Sequence, residues 1–403
     1  MKKLASLLFL ITLISCTEPY LLQTSNFEEA LVIEATITNE FKKQQIKLSK
    51  TYRLEENGPA FVENANVSVE DDLGNVYPFI EGDEIYESEN EFEAIPGRKY
   101  KLTIVTNGKV YTSTPETLTK INPIEDVEVR DLTVSDVRGA EIRVKAFDPT
   151  NSSKYYRYEF EETYKIIAPK WLPYTATVNT ITKDLIFTPR TYEARTCYST
   201  VKSTEILLHS TSDLSEDRVD HKVRFIPVDN PIIMHRYSIL VKQYIQNLES
   251  YTYYNTLKTI SGSDGILSQN QPGFFSGNIT CTNNPNEKVV GFFDVSSVSS
   301  KRIFFNFEEI FPSTVQPDYF YDCYDNCDIP DPLLCPGVYD YCFDVSPWTT
   351  CKGNIVENSL NNIPQNYLYF SGPNPIYLIP LPCGDCTTFS SNVVPPFGIK
   401  KQF

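Results

Sequence analysis

The cysteines of this chain are numerous and closely spaced enough to take part in chemistry. Ten cysteines occur in 403 residues, and the last quarter of the chain holds Cys323, Cys327, Cys335, Cys342, Cys351, Cys383 and Cys386. Cys383 and Cys386 have the CxxC spacing of thioredoxin-like redox sites. Together with Cys323 and Cys327 they also form the two close pairs that a four-thiolate zinc site requires. Redox catalysis, zinc binding and structural disulfides are therefore three competing uses of these thiols.

The N-terminal residues indicate the compartment in which these thiols work. Two lysines precede an uncharged apolar run from Leu4 to Ile14. This run has the length of a signal-peptide core and is too short for a membrane-spanning helix, which needs about 20 residues. The small residue Ser15 before Cys16 completes a segment that resembles the lipobox of bacterial lipoproteins. We therefore expect a signal peptide over 1–15, a lipidated tether over 16–24 and lipidation of Cys16; the alternative is an ordinary secretory signal with an incidental cysteine.

Export to an oxidising compartment favours disulfides, because oxidation competes with a metal ion for the thiolates. The CxxC pair also lacks the βαβ context that lowers a thiol pKa. The disulfide candidates are the nine cysteines other than Cys16, namely Cys197, Cys281, Cys323, Cys327, Cys335, Cys342, Cys351, Cys383 and Cys386. Each bond is expected to stabilise the fold by about 2 to 4 kcal/mol. Because nine is an odd number, at least one thiol cannot pair within the molecule.

The segment from Phe311 to Cys351 combines acidic and aromatic residues with five of the cysteines. No lysine or arginine occurs between Arg302 and Lys352. Aromatic side chains that disulfides hold in place lose little entropy on binding, which predicts a surface for docking to another protein. The partner-contact candidates are Tyr321, Tyr324 and Trp348. The alternative is a small disulfide core whose aromatic residues only fill space.

Acidic residues outnumber basic residues in this segment and in the whole chain. Asp322, Asp325 and Asp328 recur at a spacing that could supply hard oxygen ligands to Ca²⁺. The glycine and the terminal glutamate of an EF-hand loop are missing, so solvated loop carboxylates are the preferred interpretation, and no cofactor is expected. The formal net charge of −16 disfavours nucleic acid and anionic lipid headgroups as partners.

Signatures of catalysis are missing from the sequence. His209, His221 and His235 lie outside any HExxH motif, and neither a GxSxG elbow nor a GxxxxGK[ST] phosphate loop occurs. Glu161 and Glu162 could act as a carboxylate pair, but adjacent residues on a strand point to opposite faces. Solvated surface is the better interpretation of these two, and we expect a protein without enzymatic activity.

Tyrosine, phenylalanine, valine, isoleucine and threonine are frequent in the remaining chain and predict a mainly β protein. Alternating runs predict strands over 30–37, 45–49, 65–69, 99–105 and 110–113, with Asn107-Gly108 as a hairpin turn. Strands at this spacing predict an immunoglobulin-like β-sandwich over 25–118. A larger β-rich domain over 124–310, with a helix at 248–260, follows; a cysteine-rich acidic and aromatic segment over 311–403 is expected to pack on it.

Short motifs in a fixed order also resemble a known family. They include Leu31-Val-Ile-Glu-Ala35, Tyr100-Lys-Leu102, Gln271-Pro-Gly273, Ser276-Gly-Asn-Ile279 and Val289-Val-Gly-Phe-Phe293. Their succession resembles DUF4249, a family of unknown function among outer-membrane lipoproteins of Bacteroidota-type bacteria. The family has no established chemistry to transfer. Its frequent association with TonB-dependent receptors implies a lipid-anchored protein of the outer membrane, at the cell surface, whose partner is an outer-membrane β-barrel.

Two functions follow from these expectations. The first is a non-enzymatic lipoprotein that serves as an accessory subunit of a TonB-dependent receptor or another outer-membrane β-barrel complex and acts by protein docking. The second is a surface lipoprotein that captures a peptide, glycan or chelate and delivers it to a TonB-dependent transporter. A stoichiometric barrel partner without ligand would favour the first function, and specific binding of a small ligand by the isolated protein would favour the second.

Overall fold

The computed structural model describes residues 29–52, 56, 58–178, 181, 185–261, 277–323, 366–370 and 376–397, and the protein is mainly β. The strands are β1 (Leu31–Thr38), β2 (Gln45–Lys50), β3 (Asn66–Asp71), β4 (Val76–Glu81), β5 (Tyr86–Ser88), β6 (Lys99–Thr106), β7 (Lys109–Ser113), β8 (Glu116–Thr117), β9 (Asp126–Val134), β10 (Val137–Asp148), β11 (Tyr155–Ile167), β12 (Tyr174–Val178), β13 (Leu185–Pro189), β14 (Thr196–Lys202), β15 (Leu207–Ser210), β16 (Asp217–Pro227), β17 (Arg236–Gln246), β18 (Ile279–Cys281), β19 (Val289–Asn306), β20 (Asn366–Phe370) and β21 (Ile376–Pro380). The α-helices are α1 (Leu248–Ser261), α2 (Phe307–Ile310) and α3 (Leu381–Gly384), and 3₁₀ turns cover Pro231–Ile233 and Cys386–Thr388. None of the helices in this part of the chain is long and apolar enough to cross a membrane.

The alternating runs of the sequence form strands close to their predicted positions. In β6 the side chains of Tyr100, Leu102 and Ile104 are fully buried, whereas Lys101 between them is exposed and Thr103 is half-buried. The turn from β6 to β7 has positive φ angles of 50° at Asn107 and 72° at Gly108, as a tight two-residue hairpin requires. The predicted helix is present as α1 and ends one residue later than expected.

Fourteen strands form one continuous sheet within the described residues. Its order is β14-β11-β17-β19-β1-β2-β5-β4-β3-β6-β7-β18, while β8 pairs with β6 and β15 pairs with β11. The long strand β19 joins the two halves of this sheet. Its residues 289–296 pair in parallel with β1, and residues 297–306 pair antiparallel with β17. A separate sheet of order β16-β10-β9 packs on the half that contains β11 and β17.

The first hydrophobic core lies on the half of the sheet that contains β1 to β7. Residues from beyond α1 belong to it as well, since Ile279, Val289 and Phe293 are buried among the side chains of the first strands. The predicted domain boundaries therefore need a correction: residues 279–295 lie outside the predicted 25–118 unit yet complete its core. The alternation of polar and apolar residues shows which face of a strand is buried, but it does not show which distant strand is its neighbour.

The second core lies between the three-stranded sheet and the half formed by β11, β17 and β19. Three fully buried tyrosines belong to it, and each hydroxyl has a polar partner. The Tyr156 hydroxyl donates to Asp217 at 2.7 Å, the Tyr158 hydroxyl donates to Gln243 at 3.0 Å, and the Tyr237 hydroxyl donates to a carboxylate at 2.6 Å. The tyrosines therefore add volume to a mainly aliphatic core without leaving their hydroxyls unpaired.

Close backbone contact fixes the path on which the chain returns after α1. A Cβ atom on Gly277 would lie 1.8 Å from the carbonyl oxygen of Gly291, and one on Gly291 would lie 2.4 Å from the carbonyl oxygen of Ile33. The Asn278 side chain then pairs with β19 as a strand would: the backbone N–H of Phe293 donates to its Oδ1 at 2.8 Å, and its Nδ2 donates to the carbonyl of Phe293 at 2.9 Å. Two of the motifs that carry the family resemblance are thus in direct contact.

Candidate docking site

Two disulfides hold the described part of the C-terminal segment against the second core. Cys197 is bonded to Cys386, with 5.9 Å between the Cα atoms, and Cys323 is bonded to Cys383, with 5.7 Å between them. The two cysteines of the CxxC spacing therefore pair with different partners and not with each other. Cys281, which we counted among the disulfide candidates, is a free and buried thiol. It lies on β18 inside the first core, whereas the four bonded cysteines cluster beside the second.

We call the structure around these bonds the stapled region; it comprises residues 168–173, 190–198, 319–323 and 381–392. Backbone hydrogen bonds reinforce the disulfides. The N–H of Lys170 donates to the carbonyl of Cys383 at 2.9 Å, and the N–H of Cys386 donates to the carbonyl of Ala194 at 3.0 Å. The stapled region thus continues directly from the ends of β11 and β14, which determine where it lies.

Asp385, between the two cysteines of the CxxC spacing, organises the stapled region. Its carboxylate accepts hydrogen bonds from the Arg190 guanidinium at 2.8 Å, the Tyr192 hydroxyl at 2.7 Å and the backbone N–H of Thr387 at 3.0 Å. Burial alone would raise the pKa of Asp385, but these hydrogen bonds outweigh it and hold the pKa below its ordinary value. Asp385 is not among the site residues predicted from the sequence, although an aspartate two positions before a threonine is a recognisable capping signal.

Aromatic rings cover the disulfides on the outer side of the stapled region. The rings of Tyr319 and Phe320 meet edge to face at 5.6 Å, and Tyr321 meets Phe389 edge to face at 5.1 Å. The Tyr319 hydroxyl donates to the carbonyl of Pro382 at 3.1 Å. Tyr321, a predicted contact residue, remains 39 % exposed. Its ring is therefore held from one side and accessible from the other.

A two-stranded hairpin, β12 and β13, extends from the stapled region. Ile186 and Phe187 on this hairpin are 46 % and 47 % exposed. At its base, the buried indole N–H of Trp171 has no hydrogen-bond partner among the described residues. An isolated two-stranded hairpin is marginally stable in water. Contact with another surface would cover these exposed apolar side chains and stabilise the hairpin. It would also offer an acceptor to the indole N–H.

Several predicted site residues lie outside the described part of the chain. These are the lipidation candidate Cys16, the contact candidates Tyr324 and Trp348, the cysteines Cys327, Cys335, Cys342 and Cys351, and the carboxylates Asp325 and Asp328. Asp322 is described and exposed. Within the described residues, no group of three or more potential metal ligands occurs.

The structure brings two of the three histidines together. The rings of His209 and His221 lie 4.7 Å apart, and Tyr158 stacks on His221 at 5.3 Å. Burial lowers the pKa of His221 to about 4, with the neighbouring His209 as the next cause, and burial also lowers the pKa of His209. The pair packs beside the tyrosines of the second core, which makes it a determinant of stability.

The adjacent carboxylates of β11 point to opposite faces, as expected. Glu161 accepts from Arg302 at 2.8 Å. Glu162 is buried, and it accepts from the Tyr237 hydroxyl at 2.6 Å and from Arg224 at 3.2 Å. The interpretation of Glu162 as solvated surface is therefore wrong, because the three-stranded sheet covers its face of β11.

Comparison with known proteins places this scaffold in a family. The model of DUF4249, a domain of unknown function, matches residues 17–302. The chain belongs to this family. The match ends within β19 of this DUF4249 protein, so residues 319–323 and 381–392 of the stapled region lie beyond it. No curated protein matches the chain.

Two solved structures show distant similarity to this DUF4249 protein. A DUF4785 family protein from Legionella pneumophila is 10 % identical with a TM-score of 0.15, over 52 % of this chain and 50 % of the other. The BSP domain of a biofilm-associated protein is 8 % identical with a TM-score of 0.12, over 69 % of this chain and 60 % of the other. The chain thus spans about half the length of the Legionella protein.

Proposed function

We propose that this DUF4249 protein is a non-enzymatic lipoprotein, anchored to the outer membrane through Cys16, that serves as an accessory subunit of a TonB-dependent receptor or another outer-membrane β-barrel complex. Its β1–β7 half acts as an immunoglobulin-like spacer above the membrane anchor. The stapled region and the acidic aromatic segment that leaves it at Cys323 dock on the partner.

The observation that carries this proposal is the partly exposed aromatic surface that two disulfides hold in place. Rigid aromatic side chains contribute contact area at a low entropic cost, and they are enriched among the residues that dominate binding energy. Tyr192 and Tyr321 are 49 % and 39 % exposed, and Phe187 on the hairpin is 47 % exposed.

The charge of the acidic aromatic segment and the extent of the family match also support docking through this region. The segment from Phe311 to Cys351 carries acidic residues and no lysine or arginine, which favours a partner surface with basic groups. The family match ends at residue 302, so this segment lies beyond the matched residues. A feature outside the shared scaffold is where a member-specific partner would be recognised.

Affinity isolation of the tagged, lipidated protein from membranes, followed by mass spectrometry, tests the proposal. We expect a stoichiometric β-barrel partner. Replacing Tyr321, Tyr324 and Trp348 together with alanine should reduce recovery of this partner at least tenfold while secretion and fold are retained. Phe41→Ala is the matched control, because Phe41 is 67 % exposed on the other half of the molecule. Equal partner recovery by the triple variant and the control would refute docking through this segment.

The anchor requires its own test. Cys16→Ala should release the protein from the membrane as a precursor or soluble form, because acyl chains on the cysteine supply the attachment. Membrane-bound protein that still incorporates labelled fatty acid after this substitution would contradict the anchor. The second candidate function, capture of a small ligand, is favoured by one pocket on the second half of the molecule.

A further inference from the structure

A pocket of about 170 Å³ lies at the end of β11 and β17, where β19 runs into α2. Its lining consists of Lys165, Ile167, Met234, His235, Arg236, Asn306 and Glu308. A cavity of about 150 Å³ accommodates a molecule of the size of benzene. The pocket therefore has room for about six non-hydrogen atoms of a ligand, and the remainder of a larger ligand would lie outside it.

Strand register places two cations side by side in this pocket. Tyr164 of β11 pairs with Tyr237 of β17, and one further step along both strands brings Lys165 opposite Arg236. Arg236 in turn pairs with Asn306 of β19, so one row across three strands faces the pocket. Like charges directly opposite each other destabilise a sheet. An anion between them would remove this repulsion.

Nearby groups compensate Arg236 through a long ion pair and through a cation–π contact, in which the guanidinium carbon lies 5.3 Å from the centroid of the Phe304 ring. The buried Nε of Arg236 has no hydrogen-bond partner among the described residues, and its Nη1 lies 3.9 Å from Glu309. Glu309 already accepts two hydrogen bonds from Asn306, and Glu308 accepts one from Gln316 at 2.7 Å.

The remaining lining residues limit the kind of anion. Ile167 and Met234 form an apolar wall, and Glu308 repels a second negative charge. Burial lowers the pKa of His235, and the charge of Lys165 contributes to the same direction. A monoanion with a small apolar tail fits this lining better than a phosphate, which carries more charge and no tail.

We propose that this pocket binds a small aliphatic carboxylate, the chemical class that includes the C-terminal residue of a peptide. Lys165 and Arg236 bind the carboxylate, and Ile167 and Met234 contact the tail. This inference does not depend on docking by the stapled region, and the two can fail separately.

The chain contains only two methionines, Met1 and Met234, so a ¹³C-methyl methionine label reports directly from the pocket. N-acetyl-leucine is the probe, and N-acetyl-leucinamide, which lacks only the charged carboxylate, is its control. We expect N-acetyl-leucine to shift the Met234 signal saturably with a Kd of about 1 mM or tighter, and the amide to bind at least tenfold more weakly. Met234→Leu assigns the signal.

Variants of the two cations complete the test. Lys165→Gln and Arg236→Gln should each weaken N-acetyl-leucine binding at least tenfold. Arg218→Gln is the control and should leave binding unchanged, because Arg218 lies on β16 with its side chain 57 % exposed. If Arg236→Gln does not fold, Arg236→Lys and Lys165→Gln decide the question. The proposal would be overturned by equal binding of acid and amide or by no shift with either probe. Tighter binding of inorganic phosphate, or unchanged binding in folded variants, would overturn it as well. Retained binding in the triple alanine variant of the docking segment would separate the two sites.

Discussion

At the scale of single residues, Arg157 shows how polar side chains are accommodated where the two cores meet. Its guanidinium lies between two rings, 4.2 Å from the centroid of Tyr244 and 4.8 Å from that of Tyr254, and it pairs with Glu159. Burial raises the pKa of the nearby Asp294, and the positive charge of Arg157 acts against that rise. Cation–π contacts and a paired carboxylate offset the cost of burying this charge.

Gly291 gives a residue-scale prediction about stability. Gly291→Ala should lower the free energy of unfolding by at least about 2 kcal/mol, because its Cβ would lie 2.4 Å from the backbone of Ile33. Gly82→Ala is the control, since its Cβ would lie 3.4 Å from the nearest atom, and its effect should stay within about 0.5 kcal/mol. Urea denaturation measures both. Similar stabilities for the two variants would contradict the close approach of β1 and β19.

The histidine pair predicts a dependence of stability on pH. The pKa of His221 is about 4 in the fold, against an ordinary value of 6.5, so the unfolded chain binds more protons between these values. Unfolding should therefore become easier as the pH falls from 6.5 towards 4, by up to roughly 3 kcal/mol. Aspartates with a lowered pKa, such as Asp71 with an ordinary value of 3.8, lose their contribution mainly at lower pH, whereas glutamates such as Glu159, with an ordinary value of 4.5, add to the loss at the acidic end of this range.

Denaturation midpoints at pH 7, 5.5 and 4.5 check this prediction. His221→Gln should flatten the profile, because a side chain that does not titrate takes the place of the half-buried imidazole. Wild-type stability that does not change between pH 7 and 4.5, or a variant with the wild-type slope, would show that the histidines do not couple folding to protons.

At the scale of elements, disulfides take over where strand pairing ends. Outside the large sheet and the three-stranded sheet, the described chain forms short turns and two separate hairpins, β12–β13 and β20–β21, and the stapled region has only small apolar clusters around its cysteines. Small clusters of this kind bury too little apolar surface to order a segment alone. The two bonds replace the missing core as the source of order.

Removing one bond tests this role. The double substitution Cys323→Ser and Cys383→Ser opens a loop of sequence separation 60, and the free energy of opening the stapled region should fall by about 2 to 4 kcal/mol. The Lys170 amide, which donates to Cys383 at 2.9 Å, should exchange its hydrogen roughly 30- to 700-fold faster. Cys281→Ala, which removes a free thiol, is the control. Unchanged exchange at Lys170 would show that packing alone orders the region.

At the scale of the whole molecule, β19 makes the two halves of the large sheet one structure. Its first part supplies buried residues to one core, including Phe293, and its second part supplies Phe305 to the other. The buried carboxylate of Glu116 accepts from Asn278 at 2.8 Å and from Asn247 at 3.0 Å, which ties α1 and β18 to the first half. Unfolding of either half must break contacts that the other needs.

A fragment experiment tests this dependence. Residues 25–118 expressed alone should not fold, because β1 would lose its parallel partner and the core would lose Ile279 and Phe293. A fusion that adds residues 277–296 through a flexible linker should recover native-like amide dispersion in NMR spectra. Independent folding of the 25–118 fragment would contradict the need for these returning strands.

The sequence by itself determined what depends on local pattern. Alternation placed β6 and its neighbours, Asn107-Gly108 specified a hairpin turn, and the helical spacing after Leu248 predicted α1 to within one residue. Cysteine content indicated disulfides, and the order of short motifs indicated the family. Each of these signals is carried by residues close together in the chain, which is why it can be read without a structure.

Only the tertiary structure decided which distant residues meet. The partners of Cys197 and Cys323, the free state of Cys281 and the burial of Glu162 depend on strands that are far apart in sequence. The row of Lys165, Arg236 and Asn306 likewise arises from register across three strands, and no sequence motif predicts it. Strand pairing over long separations is set by the balance of burial and loop closure for the whole chain, so no short stretch of sequence encodes it.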